Sequence, residues 1–285
     1  MKRFWLYSAL GCLCMLAACA SPHQLYQAPV TGTRAINPYH VNLHWMDYLK
    51  KGNKPDRHLD TWLRWYLDNL NYPDQHGLTG TIYDYTIYPD GRIESLNDYD
   101  SADSYASSFL ILLQMYLVRG GELELNTADL QKLADIAWVI LTLQNPDGTI
   151  RAKPGSEICY LMNNSEAYAG LIAYQDIATR YQLDKREQFL QAAFKLREAL
   201  FSRWLNGGEF YWALSPTEAW SCNPQNIYPD RLAQFYPIAY GLLDRQPLLR
   251  QSIWTKYSLT GSEVKRYLST EQGIVYAWAK KENTP

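Results

Sequence analysis

The feature that most restricts the fold is an alternation of two kinds of helical segment. Three amphipathic segments carry apolar residues in the i, i+3, i+4, i+7 pattern, and they begin near Leu59, Leu130 and Leu190. Between them lie segments that are small or apolar on almost every side, which predicts burial on most sides. These inner segments are Ser104–Val118, Ala167–Ala178 and Leu232–Leu243. The chain is therefore expected to alternate inner and outer helices.

An acidic residue stands at or just before the start of each inner segment. The three acids are Asp103, Glu166 and Asp230, and the intervals from 103 to 166 and from 166 to 230 are 63 and 64 residues. An interval of this constancy indicates a repeated supersecondary unit, in this case an αα-hairpin with a decorated loop. If the hairpins wind around one axis, the three carboxylates converge at one mouth.

The loops that follow the outer segments share turn and strand signals. The residues 80–95 (GTIYDYTIYPDGRIES) alternate in polarity and contain a Pro-Asp-Gly turn, which predicts a β-hairpin. Leu143–Gly155 and Leu205–Leu214 also combine glycine turns with short apolar runs. Each outer helix is therefore expected to end in a turn and a short strand pair.

Two cysteines follow the same repeat. Cys159 lies seven residues before Glu166, and Cys222 lies eight before Asp230. Equivalent positions in adjacent hairpins favour a disulfide, which would contribute about 4 kcal/mol for a loop of roughly 60 residues. Two unpaired cysteines are the alternative.

The first 40 residues differ in composition from the rest. Lys2 and Arg3 precede an uncharged apolar run that ends at Leu16-Ala17-Ala18-Cys19, which resembles a bacterial lipobox. The resemblance implies cleavage before Cys19, lipidation of its thiol and, with Ala20 next, sorting to the outer membrane; an ordinary signal peptide is the alternative. We therefore predict a signal peptide over 1–18, a lipidated tether over 19–40, a domain over 41–285 and membrane attachment through the lipid.

Charge and composition exclude some partners. The 27 Lys and Arg residues include the 2 of the predicted signal, so 25 positive charges face 29 negative ones in the rest of the chain. There is no basic run, and we expect no nucleic-acid partner. No Cys/His cluster is present, so we expect no metal and no cofactor.

The alternation of helices resembles the α/α toroid of the six-hairpin glycosidases, over about residues 42–257. The residues 101–106 (SADSYA) resemble the first-inner-helix acid motif of cellulase-like members in bacterial exopolysaccharide systems, and 164–171 and 228–237 resemble later inner-helix starts. The resemblance implies an all-α toroid with short β-hairpins in the loops at one face. A full toroid has twelve helices. Four pairs are clear here, with a fifth from Ser262–Leu268 and Gly273–Lys281, so the ring is expected to be short or incomplete.

Glycoside hydrolysis typically uses two carboxyl groups, about 5–5.5 Å apart for retention and about 6.5–9.5 Å apart for inversion. We expect Asp103 to be the general acid, because the neighbouring anions Asp98 and Asp100 would raise its pKa. Asp230 is the candidate base, with Glu166 as the alternative. Acids also cap helix N-termini and face the positive end of the helix dipole, so capping is the competing explanation for each.

Further residues could bind sugar. Asp98 and Asp100 would shape the site or bind hydroxyl groups, and aromatic rings could stack on pyranose faces, although each ring is also a candidate for the core. The aromatic candidates are Tyr85, Tyr88, Tyr105, Tyr168, Trp212 and Trp220.

These expectations combine into a periplasmic glycoside hydrolase that acts on a polysaccharide or oligosaccharide, with inversion implied by the resemblance. The alternative is a non-catalytic lipoprotein that binds an exopolysaccharide or scaffolds its export machinery. An enzyme should bring two of the three inner-helix acids to one cleft, whereas a binding module would keep an aromatic groove without such a pair. A weaker resemblance links LQNPDGTI (143–150) to the repeat of terpene cyclases.

Overall fold

The computed structural model describes residues 33–183, 186–267 and 269–283. The predicted signal peptide and the lipidation site Cys19 lie outside the described residues. Within the described ranges the chain is mostly helical, and no helix there is long and apolar enough to span a bilayer. The helices are α1 (Pro38–Lys50), α2 (Arg57–Asp68), α3 (Ala102–Val118), α4 (Thr127–Thr142), α5 (Leu161–Arg180), α6 (Arg186–Ala199), α7 (Tyr236–Ala239), α8 (Pro247–Tyr257), α9 (Gly261–Tyr267) and α10 (Glu271–Glu282).

Several helices begin at side-chain caps that the sequence supplies. Asn37 accepts a hydrogen bond from the backbone of His40, and Pro38 follows at the first helical position of α1. Asn126 and Asp129 form a reciprocal capping box at the start of α4. Such caps satisfy N–H groups that have no partner inside the helix.

Five helices form the interior, and each packs on the next. α1 packs on α3, α3 on α5, α5 on α7 and α7 on α10, and α10 returns to α1. The closing contact includes a hydrogen bond of 3.1 Å from the Trp278 indole to Asp47. α3 and α5 lie so close that a Cβ on Gly170 would stand 2.7 Å from the Ser107 Cα. This close approach explains a glycine inside a helix, where it otherwise costs stability.

The expected outer helices pack against this interior. α2 stacks Tyr66 on Phe109 of α3 with ring centroids 3.9 Å apart, while α4 packs on α3 and α6 packs on α5. The predicted fifth pair is present as α9 and α10. The alternation predicted from hydrophobic periodicity is therefore confirmed for these helices, apart from the third inner one.

The third inner helix differs from the prediction. Instead of a helix over Leu232–Leu243, the chain forms a π turn at Ile227–Arg231 and the four-residue α7. Pro237 has no N–H to donate to a preceding turn, and Gly241 has a φ of 74° that ends the helical path. Apolarity therefore predicted burial correctly here but not helix length.

Three small antiparallel sheets decorate the helices. β1 (Arg34–Ile36), β2 (Tyr85–Ile87) and β3 (Ile93–Ser95) form the first, with Ile36 opposite Tyr85 and Tyr85 opposite Ser95. β5 (Leu205–Asn206) pairs with β6 (Glu209–Phe210). The predicted hairpins over 80–95 and 205–214 are confirmed, whereas Leu143–Gly155 forms only an isolated bridge between Gln144 and Ile150.

The first sheet also corrects the predicted tether. β1 and the start of α1 fall before residue 41, because the backbone of 34–36 pairs with β2 and Asn37 caps α1. Residues 34–40 therefore belong to the folded domain rather than to the tether.

The predicted disulfide is absent, and Cys159 and Cys222 are buried free thiols. Cys159 lies on β4 (Cys159–Tyr160), and Cys222 follows β8 (Ala219–Trp220). The strand between them is β7 (Ala213–Leu214). The two thiols have different neighbours: the Cys159 thiol donates to the Thr149 hydroxyl over 3.6 Å, whereas Tyr257 and Asp230 lie near the Cys222 thiol.

Candidate functional site

The N-terminal ends of three inner helices meet beside the first sheet. Asn37, the cap of α1, donates to the Tyr105 hydroxyl of α3 over 2.5 Å. Tyr39 of α1 donates to Glu166 Oε1 of α5 over 2.5 Å. The rings of Tyr39 and Tyr105 stack with centroids 6.2 Å apart. This assembly, which we call the acidic mouth, contains Asn37, Tyr39, Asp84, Asp98, Asp100, Asp103, Tyr105 and Glu166.

Glu166 forms the buried floor of the acidic mouth. It is 2% exposed, and its oxygens accept from the hydroxyls of Tyr39 (2.5 Å), Ser104 (2.5 Å) and Tyr240 (3.2 Å). Burial raises the pKa of Glu166 to about 8 against the lowering effect of these donors, and the nearby Asp103 raises it further. The group therefore holds a proton at neutral pH.

Asp103 lies beside Glu166 and is entirely buried. Its Oδ1 accepts from the Ser101 hydroxyl (2.6 Å), the Ser104 backbone (2.7 Å) and the Asn163 amide (3.1 Å). Its Oδ2 has no hydrogen-bond partner among the described residues. Burial raises the pKa of Asp103 to about 7. A raised pKa was predicted, but the cause is burial rather than the anions Asp98 and Asp100, and the full burial contradicts direct contact with a polymer.

Asp84 is a partly buried acid of the acidic mouth that the pattern of inner helices did not predict. It precedes β2, is partly buried, and accepts from the Tyr105 hydroxyl over 2.9 Å and from Asn37 over 3.5 Å. Burial raises its pKa to about 6, and the charges of Asp100 and Asp98 add to the rise. One sequence signal was available, because an aspartate between Tyr83 and Tyr85 interrupts an otherwise strand-like run.

Asp98 and Asp100 lie at the rim of the acidic mouth, and their role in binding sugar hydroxyls stays a prediction. Both are exposed, while Tyr99 between them is buried and donates to Asp74 over 2.7 Å. The backbone of Asp84 donates to the Asp98 carbonyl over 2.9 Å. This bond joins the β2 side of the mouth to the segment that leads into α3.

Asp230 does not join this assembly. Its Oδ1 accepts from the Asn223 backbone over 2.7 Å, and its Oδ2 accepts from the Asn226 side chain. It is not among the charges that raise the pKa of Asp103 or Glu166. The predicted convergence of three acids is therefore correct for two and wrong for Asp230, which stabilises its own loop.

The aromatic candidates lie in different parts of the structure. Tyr105 belongs to the acidic mouth. Tyr85 is a core residue that donates to the Asn69 carbonyl over 3.1 Å and packs its ring against Trp65. Tyr88 lies at the hairpin tip, where the Arg92 guanidinium stands 4.1 Å above its ring.

Trp212 and Trp220 form an aromatic row with Tyr160, a residue that the sequence analysis did not select. Tyr160 and Trp212 are nearly parallel with centroids 6.4 Å apart, and Trp212 and Trp220 are 6.1 Å apart at 41°. All three are partly exposed. The charge of Asp100 contributes to the raised pKa of Tyr160, after burial, so the row begins near the acidic mouth.

A metal site is not visible in the described ranges. Among residues 33–183, 186–267 and 269–283, no group of three or more His, Cys, Asp or Glu side chains is placed to hold a metal ion.

Known proteins resemble this chain in structure rather than in sequence. No family model matches its sequence, and no curated protein matches it. The structure is similar to the crystal structure of a sugar epimerase from a ruminal bacterium, with a TM-score of 0.50 and 12% sequence identity. The similarity covers 87% of this chain and 60% of the epimerase chain, so this chain spans less than two thirds of that structure. At this identity the similarity shows a shared helical fold.

Proposed function

We propose that this protein is a carbohydrate-active enzyme that hydrolyses glycosidic bonds at the acidic mouth. The observation that carries the proposal is Asp84, a partly buried carboxyl group held by the Tyr105 hydroxyl beside two exposed aspartates. The similarity to a structure described as a sugar epimerase supports a carbohydrate substrate. The closed succession of inner helices supports a short α/α toroid of five hairpins, related to the six-hairpin glycosidases.

In this proposal Asp84 is the general acid. A carboxyl group with a pKa of about 6 is largely protonated in mildly acidic solution and can protonate a leaving oxygen. Burial favours this protonated form, whereas the Tyr105 hydroxyl favours the carboxylate by donating to it. The two effects keep the pKa near the working range of a proton donor.

The second carboxyl group of the proposed reaction is Asp100, with Asp98 as the alternative. Both are exposed and close enough for their charges to raise the pKa of Asp84. Either can activate a water molecule on the far side of the sugar ring, which inverts the anomeric carbon. Asp103 and Glu166 then act beneath the mouth, where they orient Ser104 and Tyr39 rather than contact the reacting bond.

The predicted localisation and partners are part of the same proposal. A lipid on Cys19 would hold the enzyme at the outer membrane facing the periplasm, near exopolysaccharide and its export machinery.

The test is a substrate screen with the products read by mass. The protein is incubated with β-glucan, amino-sugar and uronate polymers, and proton NMR of early products gives the anomer. The proposal expects shorter fragments of inverted configuration from at least one polymer, with loss of activity in either Asp100→Asn or Asp98→Asn. Absence of fragments from every polymer would overturn it.

One observation favours a second candidate, a non-catalytic glycan-binding protein. The aromatic row Tyr160–Trp212–Trp220 offers flat partly exposed faces, and the inner-helix acids do not share an open cleft. This candidate expects polymer binding without cleavage, with affinity lost in Trp212→Ala and retained in Asp84→Asn.

A further inference from the structure

A second cleft opens at the opposite end of the inner helices. Its volume is about 350 Å³, within the range of small-molecule sites. The acidic mouth is built from the N-terminal ends of α1, α3 and α5, whereas this cleft is lined farther along the same helices, by Lys50, Gln114 and Asp176. Asp244, which follows α7, completes its polar lining. We call this region the distal cleft.

The electrostatics of the distal cleft favour a cation. Two carboxylates, Asp176 and Asp244, line it against one ammonium, that of Lys50. The Lys50 ammonium stands 5.0 Å from the centre of the Trp278 ring. The charges of Arg250 and Lys50 also act on Asp244 and lower its pKa, against the larger raising effect of burial. Because α1, α3 and α5 direct their C-terminal ends this way, their dipoles add negative potential.

The remaining lining favours a compact ring that carries hydroxyl groups. Tyr168 provides an aromatic face, while Met46 and Met115 provide apolar walls. The Gln114 amide donates to Asp176 over 3.2 Å, so its carbonyl oxygen can accept from a ligand hydroxyl. Tyr168 was predicted to bind sugar, and its place is here rather than at the acidic mouth.

From this arrangement we propose that the distal cleft is a binding site for a protonated amino sugar. The ammonium group lies between Asp176 and Asp244, the hydroxyl groups bind Gln114 and the same carboxylates, and the ring stacks on Tyr168. Tyr240 also lines the cleft, and its hydroxyl donates to Glu166 of the acidic mouth over 3.2 Å. Binding of the amino sugar nevertheless does not depend on hydrolysis at the acidic mouth.

The test uses three pyranoses of similar size and different charge: glucosamine, N-acetylglucosamine and glucuronate. Methionine methyl groups labelled with ¹³C in the full chain report the location, because Met46 and Met115 line the distal cleft whereas Met162 lies near the start of α5. We expect glucosamine at neutral pH to shift the Met46 and Met115 signals and to leave Met162 unchanged. N-acetylglucosamine and glucuronate should bind more weakly.

Variants separate this site from the acidic mouth. Asp176→Asn and Asp244→Asn should each weaken glucosamine binding by up to roughly fivefold, since both carboxylates are exposed and an exposed ion pair contributes at most about 1 kcal/mol. Asp98→Asn and Asp100→Asn should have no effect on the Met46 and Met115 shifts. Shifts at Met162 alone, stronger binding of glucuronate, or no shift with any of the three sugars would overturn the proposal. None of these results bears on hydrolysis, which is measured separately with polymers.

Discussion

Replacing Glu166 by Gln should stabilise the protein at alkaline pH. The folded state raises the pKa of this carboxyl group from 4.5 to about 8. Between those values the folded chain keeps a proton that the unfolded chain has released. The free energy of unfolding therefore falls as pH rises through this window, by about 1.4 kcal/mol per pH unit.

The width of this pH window sets the size of the stability difference between the parent and Glu166→Gln. Below a pH of about 4.5 Glu166 is protonated in both states and contributes no pH dependence. Over the roughly 3.5 units up to pH 8 the loss from this one group reaches about 5 kcal/mol. Gln lacks the titration, has nearly the shape of protonated Glu, and can still accept from Tyr39 and Tyr240. The variant should match the parent near pH 4.5 and exceed it by up to about 5 kcal/mol above pH 8.

The assay is urea unfolding of the parent and of Glu166→Gln at steps from pH 4.5 to 9. Glu157→Gln is the matched control, because Glu157 is exposed, and its curve should follow that of the parent. Because Asp103 also has a raised pKa, the unfolding free energy of every protein tested should still fall in part as pH rises. Parallel curves for the parent and Glu166→Gln would refute the burial argument, as would a variant that is less stable than the parent at pH 8.

Three further outcomes follow from the same contacts. Tyr105→Phe removes the hydroxyl that lowers the pKa of Asp84. The alkaline limb of the pH–rate profile should then move upward from about 6 by about 1 pH unit or more, since a hydrogen bond to a charged group contributes about 1.5–3 kcal/mol. An unchanged alkaline limb would show that Asp84 is not the group that titrates there. Gly170→Ala should lower the unfolding free energy by up to about 2 kcal/mol, because overpacking against Ser107 costs up to about 3 kcal/mol and helix propensity returns roughly 1 kcal/mol. A raised melting temperature would contradict the close approach of α3 and α5. Thiol titration in denaturant should find both Cys159 and Cys222 reactive, since both are free, and reductant should leave the melting temperature unchanged; a drop would indicate a disulfide.

Much of the fold follows from local pattern. The order of residues predicted which helices are outer and which are inner, because a helix that buries one face has an amphipathic period and a helix buried on all faces is apolar throughout. The first pattern is that of α2, α4 and α6, and the second is that of α3 and α5. The prediction of a third inner helix was wrong because Pro237 and Gly241 change the backbone geometry, and an apolar pattern contains no information about that geometry. The prediction of a disulfide was wrong because equivalent loops of a repeat need not be adjacent in space. The strand β7 lies between β4, which carries Cys159, and β8, which precedes Cys222.

The candidate site was predictable only in part. Equal spacing along the chain predicted that Asp103 and Glu166 lie close together. They do, although Asp103 is in the first turn of α3 and Glu166 is the sixth residue of α5. The spacing carried no information about how deeply the two carboxyl groups are buried. Asp84 reaches the mouth through strand pairing with β1 and β3, a long-range contact with no signal in helical periodicity. The capping explanation, given above as the alternative for each acid, resembles the role of Asp230, which accepts a backbone N–H and closes its own loop.

The most direct test of the account is the rate of polymer cleavage by Asp84→Asn beside that of Asp68→Asn, a matched substitution of an exposed acid on α2. General acid catalysis at Asp84 predicts that Asp84→Asn loses at least about 10²-fold in kcat and keeps the melting temperature of the parent, while Asp68→Asn cleaves at the parental rate. Parental cleavage by Asp84→Asn would contradict the central claim.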